Sequence, residues 1–267
     1  MGGVLLVRVC VVFNVMRFKG MKRLWVLLVS SGFSLGLQAG PQINVGTVYD
    51  YMDADKSTYL KRVYNSGDST AFVKVNILEI VYDADGTSRE VPVEAPAGAS
   101  ARNGLMASPA RLIIPANGMQ GTRLLMMGSR DSERYFRVRF VPVVPEKEDE
   151  FAVSSDERDE YKKNLSAGVN VMTGFGTVFF VRPKNSRFDS VIDDSPGIYR
   201  LRNNGNTVVV IDEFRNCSLK NETDCEPTTK HHVLAGKTFE FEKKAGREYR
   251  FNLVEGADKK ALRIASK

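Results

Sequence analysis

The chain reads as all-β: an antiparallel sandwich followed by a second, smaller one. Three observations carry that reading. Stretches of Val, Ile, Thr, Tyr and Phe alternate with polar residues at a period of two, which sets every second side chain on one face of an extended strand. Turn-formers close these stretches at short intervals, as in Asn65-Ser66-Gly67-Asp68 and Pro115-Ala116-Asn117-Gly118. No segment carries an apolar helical stripe. The one stretch of helical composition, Ser155–Asn164, is charged all round and reads as a short turn in a solvated loop.

The N-terminus stands apart. Two apolar runs, Val4–Val15 and Leu24–Leu37, precede the first strand. The second follows Met21-Lys22-Arg23 and ends Leu37-Gln38-Ala39-Gly40, with Gly32, Gly36 and serines within it. A basic start, a short apolar core and a small residue at the cut site describe a secretory leader, removed after Ala39. It is too short and weak for a membrane span of about 20 apolar residues. Translation starting at Met16 or Met21 rather than Met1 would give a leader of ordinary length. Residues 1–39 hold five basic residues and no acidic one, so their removal takes the chain from 38 basic residues to 33 against 32 acidic. A net charge of +1 removes the basic face that nucleic-acid binding requires.

From residue 40 the elements come in order. Ile43–Asp50 alternates, and Ser57–Tyr64 is rich in Thr, Tyr and Val. Ala71–Tyr82 sets Val73, Val75 and Ile77 on one face and stops at Asp83-Ala84-Asp85-Gly86. Pro96–Ser108 reads as a loop of small residues. Arg111–Ile114, Thr122–Met127 and Tyr135–Val143 are strands. Glu146–Lys163 is a polar, mobile loop. Then comes a long alternating strand, Ser166–Pro183, with Val169, Val171, Thr173, Phe175, Thr177, Phe179 and Val181 in phase. Arg182-Pro183-Lys184-Asn185 reads as a hinge between a domain of residues 40–183 and one of residues 184–267. In the latter, Gly197–Leu201, Thr207–Phe214, Thr238–Phe241, Glu248–Val254 and Leu262–Ile264 are strands.

The chemistry-bearing residues exclude more than they suggest. Cys10 departs with the leader, leaving Cys217 and Cys225 as a close pair flanked by turn-formers. In an oxidising compartment they form a local disulfide. A zinc site with His231 and His232 is the rival reading. Adjacent histidines on an extended segment point opposite ways, and the spacing matches no common zinc pattern. Neither histidine has a Ser, Cys or Asp arrangement suited to a triad, so no catalytic residue is assigned. Gly174-Phe175-Gly176 is not followed by a helix and reads as relief within a strand, not a phosphate loop. The acidic run Glu146–Glu150 lacks the spacing of a calcium loop. No cofactor, metal or small-molecule substrate is expected.

The segment Ser108–Glu146 resembles the middle of the periplasmic pilus-assembly chaperones of the chaperone–usher pathway. The residues that carry the resemblance are Pro109, Arg111, Leu112, Pro115 and Gly118, then Arg123, then Tyr135, Phe136 and Pro142. The aromatic run Phe179-Phe180-Val181-Arg182-Pro183 matches the end of that family's next strand. Gly197–Asn204 resembles the opening of its second domain. The resemblance covers most of residues 41–255, closely in the first domain and loosely in the second.

It implies two immunoglobulin-like sandwiches joined by a short hinge, working in the periplasm without catalysis. It also implies donor-strand complementation, in which the chaperone lends a strand to a pilin that lacks one. Its partners are then fimbrial subunits and an outer-membrane usher, with a self-dimer of the unloaded protein as a further state. The lent residues are Val169, Val171 and Thr173. The family clamps the subunit carboxylate with an Arg and a Lys, whose places here fall on Gly46 and Val178. A divergent class with another anchor is therefore implied, and Thr177, Arg182 and Arg62 are the candidates. Arg123 and Asp131 fall where the family has a structural ion pair. A pilin or adhesin subunit is the alternative, and a carbohydrate-binding sandwich lacks an exposed aromatic platform. A complete second domain after the first favours the chaperone.

Overall fold

The computed structural model describes residues 40–83, 86–93, 103–166, 171–221 and 223–265. The expected leader, residues 1–39, and Val169 lie outside the described residues.

The first sandwich opens with β1 (Ile43–Asn44), β2 (Tyr49–Met52), β3 (Thr58–Asn65), β4 (Ala71–Tyr82) and β5 (Ser88–Pro92). It continues with β6 (Gly104–Ser108), β7 (Arg111–Ile114), β8 (Met119–Met127), β9 (Arg134–Val143), the helix α1 (Ser155–Ser166) and β10 (Phe175–Val181). One sheet runs β1-β3-β8-β6. The other runs β2-β10-β9-β4-β5, with β7 also paired to β4. Alternation decides the faces. On β9, Phe136, Val138 and Phe140 are wholly enclosed, while Arg137 and Arg139 between them face outward onto Glu90. Val63, Val73, Leu112, Ile114 and Phe179 close the same core.

The second sandwich holds β11 (Ser190–Ser195), β12 (Ile198–Asn203), β13 (Val209–Ser218) and β14 (Thr229–Val233), then β15 (Thr238–Glu242), β16 (Arg247–Glu255) and β17 (Asp258–Ala265). Its sheets run β11-β12-β15 and β14-β13-β16-β17. Tyr199, Leu201, Ile211, Phe251 and Leu253 form its core. Cys217 and Cys225 are joined in a disulfide at the end of β13.

Several expectations are corrected. The expected loop Pro96–Ser108 ends in strand β6. Strands β5, β11 and β14 were not expected. Ser155–Ser166 is a three-turn helix rather than a solvated turn, capped where Ser154 and Glu157 exchange hydrogen bonds of 2.7, 2.8 and 3.2 Å. The long strand expected from Ser166 begins only at Phe175.

Candidate functional site

Strand β10 pairs with β9 from Phe175↔Phe140 to Val181↔Arg134. On its other edge it pairs in parallel with β2, and only over Val178–Val181. Upstream of Val178, the β2-side edge of β10 has no strand partner among the described residues. Val48, whose carbonyl receives the Val178 N–H at 2.8 Å, marks where cover stops. β9 itself runs on past Phe140 to Val143, paired there only with β4. A strand extended back from Phe175 therefore has backbone to run beside.

The residues just upstream are Val171 and Thr173. Both are exposed, Val171 at 78%, and neither is in a strand. Their phase is that of Phe175, Thr177, Phe179 and Val181, whose face packs into the first core. An apolar side chain in core phase, standing clear of its own core, is unusual; a scattered exposed valine elsewhere would need no comment.

The three anchor candidates part company. Thr177 is buried on the core face, and its hydroxyl donates to the Val138 carbonyl at 3.3 Å. Arg62 is exposed on β3. The alternation that turns it outward turns Lys61 inward, where Lys61 Nζ meets Asp50 Oδ2 at 2.6 Å. Tyr59 and Thr47 hydroxyls complete that Asp50 network at 2.8 and 2.6 Å. This buried ion pair was not expected, although Lys61 sits at an inward position of an alternating strand. It is fully bonded and reads as structural.

Arg182 is different. It is buried, with its guanidinium carbon 5.6 Å from the Tyr51 ring centre and 5.0 Å from that of Phe188. Its Nε lies 3.4 Å from the largely exposed Asp53 carboxylate, and buried Nε and Nη1 make no hydrogen bond. Arg130 holds the neighbouring backbone, donating to the Arg182 carbonyl at 3.0 and 2.5 Å.

No ion pair joins Arg123 to Asp131 among the described residues. Arg123 is exposed on β8, and Asp131 bonds Ser129. The structural link between the sandwiches is made two residues later. Glu133 accepts hydrogen bonds from Thr207 Oγ1 at 2.6 Å, from Val208 N at 2.9 and 3.0 Å, and from Tyr135 at 2.9 Å. Burial pushes its carboxyl above the ordinary range. Beside it, His232 stacks on Phe180 with ring centres 4.8 Å apart, and its Nε2 meets the Tyr51 hydroxyl at 2.6 Å. Burial pulls the His232 imidazole down to about 4. His231 turns the other way, onto Phe214 and Phe239 of the second core.

No protein-family model matches the chain. It is 26% identical over 188 residues to a CS1 fimbrial protein of Escherichia coli, covering 69% of this chain and 74% of that protein. It is 26% identical over 228 residues to the protein named "Probable fimbrial chaperone EcpB" from Klebsiella pneumoniae, covering 84% of this chain and 87% of that protein. The chain belongs to the fimbrial chaperones. The crystal structure of the class 5 fimbriae chaperone CfaA matches this chaperone with a TM-score of 0.51 at 18% identity, over 83% of this chain and 97% of that one. The Pseudomonas aeruginosa CupB2 chaperone matches with a TM-score of 0.50 at 13% identity, over 84% and 100%. The chaperone therefore shares their fold of two immunoglobulin-like sandwiches.

Proposed function

We propose that this chaperone caps incomplete fimbrial subunits in the periplasm by lending them the segment around Val171 and Thr173, then passes them to an outer-membrane usher. One observation carries the reading: upstream of Val178 the β2-side edge of β10 is free, and it leads into a core-phased valine that is 78% exposed. A subunit groove supplies what is missing, backbone partners along that edge and a core for the side chains. Burying a valine contributes about 1.5–3 kcal/mol, and the added ladder fixes register. Val169, in the same phase, extends the donated stretch. The leader of residues 1–39 delivers the chain to the periplasm, and the division between the two domains falls at Pro183–Lys184.

Arg182 is the anchor the geometry favours for the subunit carboxylate. Its fork has two unused donors, it is held by two rings, and its acidic neighbour Asp53 is exposed enough to be displaced. The Thr177 hydroxyl is already spent and Arg62 faces away.

Co-expression with candidate pilins and affinity capture tests the reading. Val171→Asp places a carboxylate in the partner's core. It is expected to abolish capture while leaving the melting temperature unchanged, because Val171 packs on nothing in the free chaperone. Undiminished capture by that variant would refute strand lending.

A further inference from the structure

The chain between β9 and β10 was expected to be a mobile loop, yet it is fastened to the outside of the first sandwich. The fastening point is Phe72 on β4. Its neighbours Ala71 and Val73 are buried, and Ala71, Val73 and Val75 belong to the core, so alternation turns Phe72 to the opposite face. It is nevertheless only 6% exposed. Phe151 and Tyr161 account for that. Both rings stand edge-on to Phe72, with centres 5.3 Å and 4.8 Å away at 79° and 80°. Edge-to-face pairs of this kind contribute beyond their buried area. The Tyr161 hydroxyl then donates to the Thr70 carbonyl at 2.8 Å.

Charges close the same contact. Lys74 pairs with Asp149, Arg111 donates to the Asp149 carbonyl, and Arg111 Nη2 meets Glu150 at 2.8 Å. These hold the turn preceding α1, and Tyr161 holds the helix itself. The helix has no buried residue and no apolar face of its own. Twelve such residues are marginal as an isolated helix in water, so the cap at Ser154 and the Phe72 contact together maintain it. Its last residue, Ser166, lies shortly before Val171.

We propose that Phe72, Phe151 and Tyr161 form a clasp that positions the donor segment. The inference rests on the strand-lending reading. With α1 clasped, residues 167–174 are tethered at both ends: at Ser166 by the helix and at Phe175 by the β9–β10 ladder. A chain held at both ends has fewer conformations to lose when a subunit takes it up, and binding strengthens by that saved entropy. The three aromatic residues are positioning residues; they touch no part of the bound subunit.

The test uses the full chaperone and the subunit that co-purifies with it. Phe72→Ala opens the clasp from the sandwich side. Tyr161→Ala opens it from the half-buried helix side and leaves both cores untouched, so it serves even where Phe72→Ala fails to fold. Tyr161→Phe keeps the ring and restores most of the effect. Tyr161→Ala is expected to keep the wild-type melting temperature, to be cut faster by trypsin at Lys162 and Lys163, and to bind the subunit about tenfold more weakly, mostly through slower association. Wild-type association in both alanine variants, with Val171→Asp still abolishing capture, would overturn the clasp and leave strand lending standing. Capture undiminished in Val171→Asp would remove strand lending itself, and the clasp's role with it.

Discussion

At the scale of single residues, His232 is the group whose environment does most to its chemistry. It faces Tyr49, Tyr51 and Phe180 of the first sandwich, and Lys230, Asp212 and His231 act on it from the second. Desolvation is the leading cause of its depressed pKa, with Lys230 adding to it. The folded state therefore holds the ring neutral where the unfolded chain would already protonate it. The unfolded state binds more protons between the ordinary histidine value near 6.5 and about 4, so stability falls as pH drops through that window. At pH 7 the contribution is intact; by pH 4.5 roughly 1–2 kcal/mol of it is lost. The Glu133 carboxyl, shifted upward, works with the opposite sign, so the comparison must be between variants. His232→Gln is expected to flatten the fall in urea-unfolding free energy between pH 7 and 4.5 relative to the wild type. Parallel curves for the two proteins would show that the ring does not titrate differentially.

At the scale of elements, what was legible in the sequence follows from what each element has on its two faces. β4, β9 and β13 bury one face, so their alternation was readable residue by residue; β9 alone runs Phe136, Val138 and Phe140 against Arg137 and Arg139. The strands that escaped notice are short and little buried. β11 carries no buried residue, and Val191 and Ile192 are both exposed, so period two leaves no trace there. β14, Thr-Lys-His-His-Val, buries only Val233. Helix α1 was written in its capping pair, Ser154 and Glu157, but a helix without an apolar face gives no periodic signal, and its hold on Phe72 comes from tertiary contact. The Cys217–Cys225 link was legible, and it makes an element-scale prediction. It closes a loop of sequence separation 8 between the end of β13 and the chain leading to β14, and Arg247 braces the same turn by donating to Asn216 at 2.8 and 2.7 Å. Cys217→Ser with Cys225→Ser is expected to lower the unfolding free energy by about 2–3 kcal/mol, the value of so short a closure in the chain-entropy model. Capture of the pilin at 25 °C should be unchanged, because the disulfide lies in the second sandwich and the donor segment leaves the first. A loss of capture without a loss of stability would assign the disulfide loop to the pilin interface.

At the scale of the whole molecule, the question is what makes two sandwiches behave as one body. The contact is small and made of a few bonded groups: the Glu133 carboxylate with Thr207 and Val208, and the His232 ring with Phe180 and Tyr51. Glu133 takes the larger share of the hydrogen bonding, because it satisfies a backbone N–H and a buried hydroxyl of the second sandwich with one side chain from the first. Removing it leaves both donors unpaired in a closed space, which costs about 1–3 kcal/mol for each group so orphaned. The stacked His232 contact, worth about 1 kcal/mol, cannot hold the pair alone against that loss. The wild-type chaperone is therefore expected to melt in a single calorimetric transition. Glu133→Ala is expected to split it into two, one for each core, with the second sandwich melting first, since it has the smaller core and depends on the disulfide. Glu133→Gln, which keeps an acceptor for the Val208 N–H, should give an intermediate profile. If Glu133→Ala still melts in one transition at the wild-type temperature, the sandwiches are coupled through the aromatic stack, and His232→Ala becomes the variant that separates them.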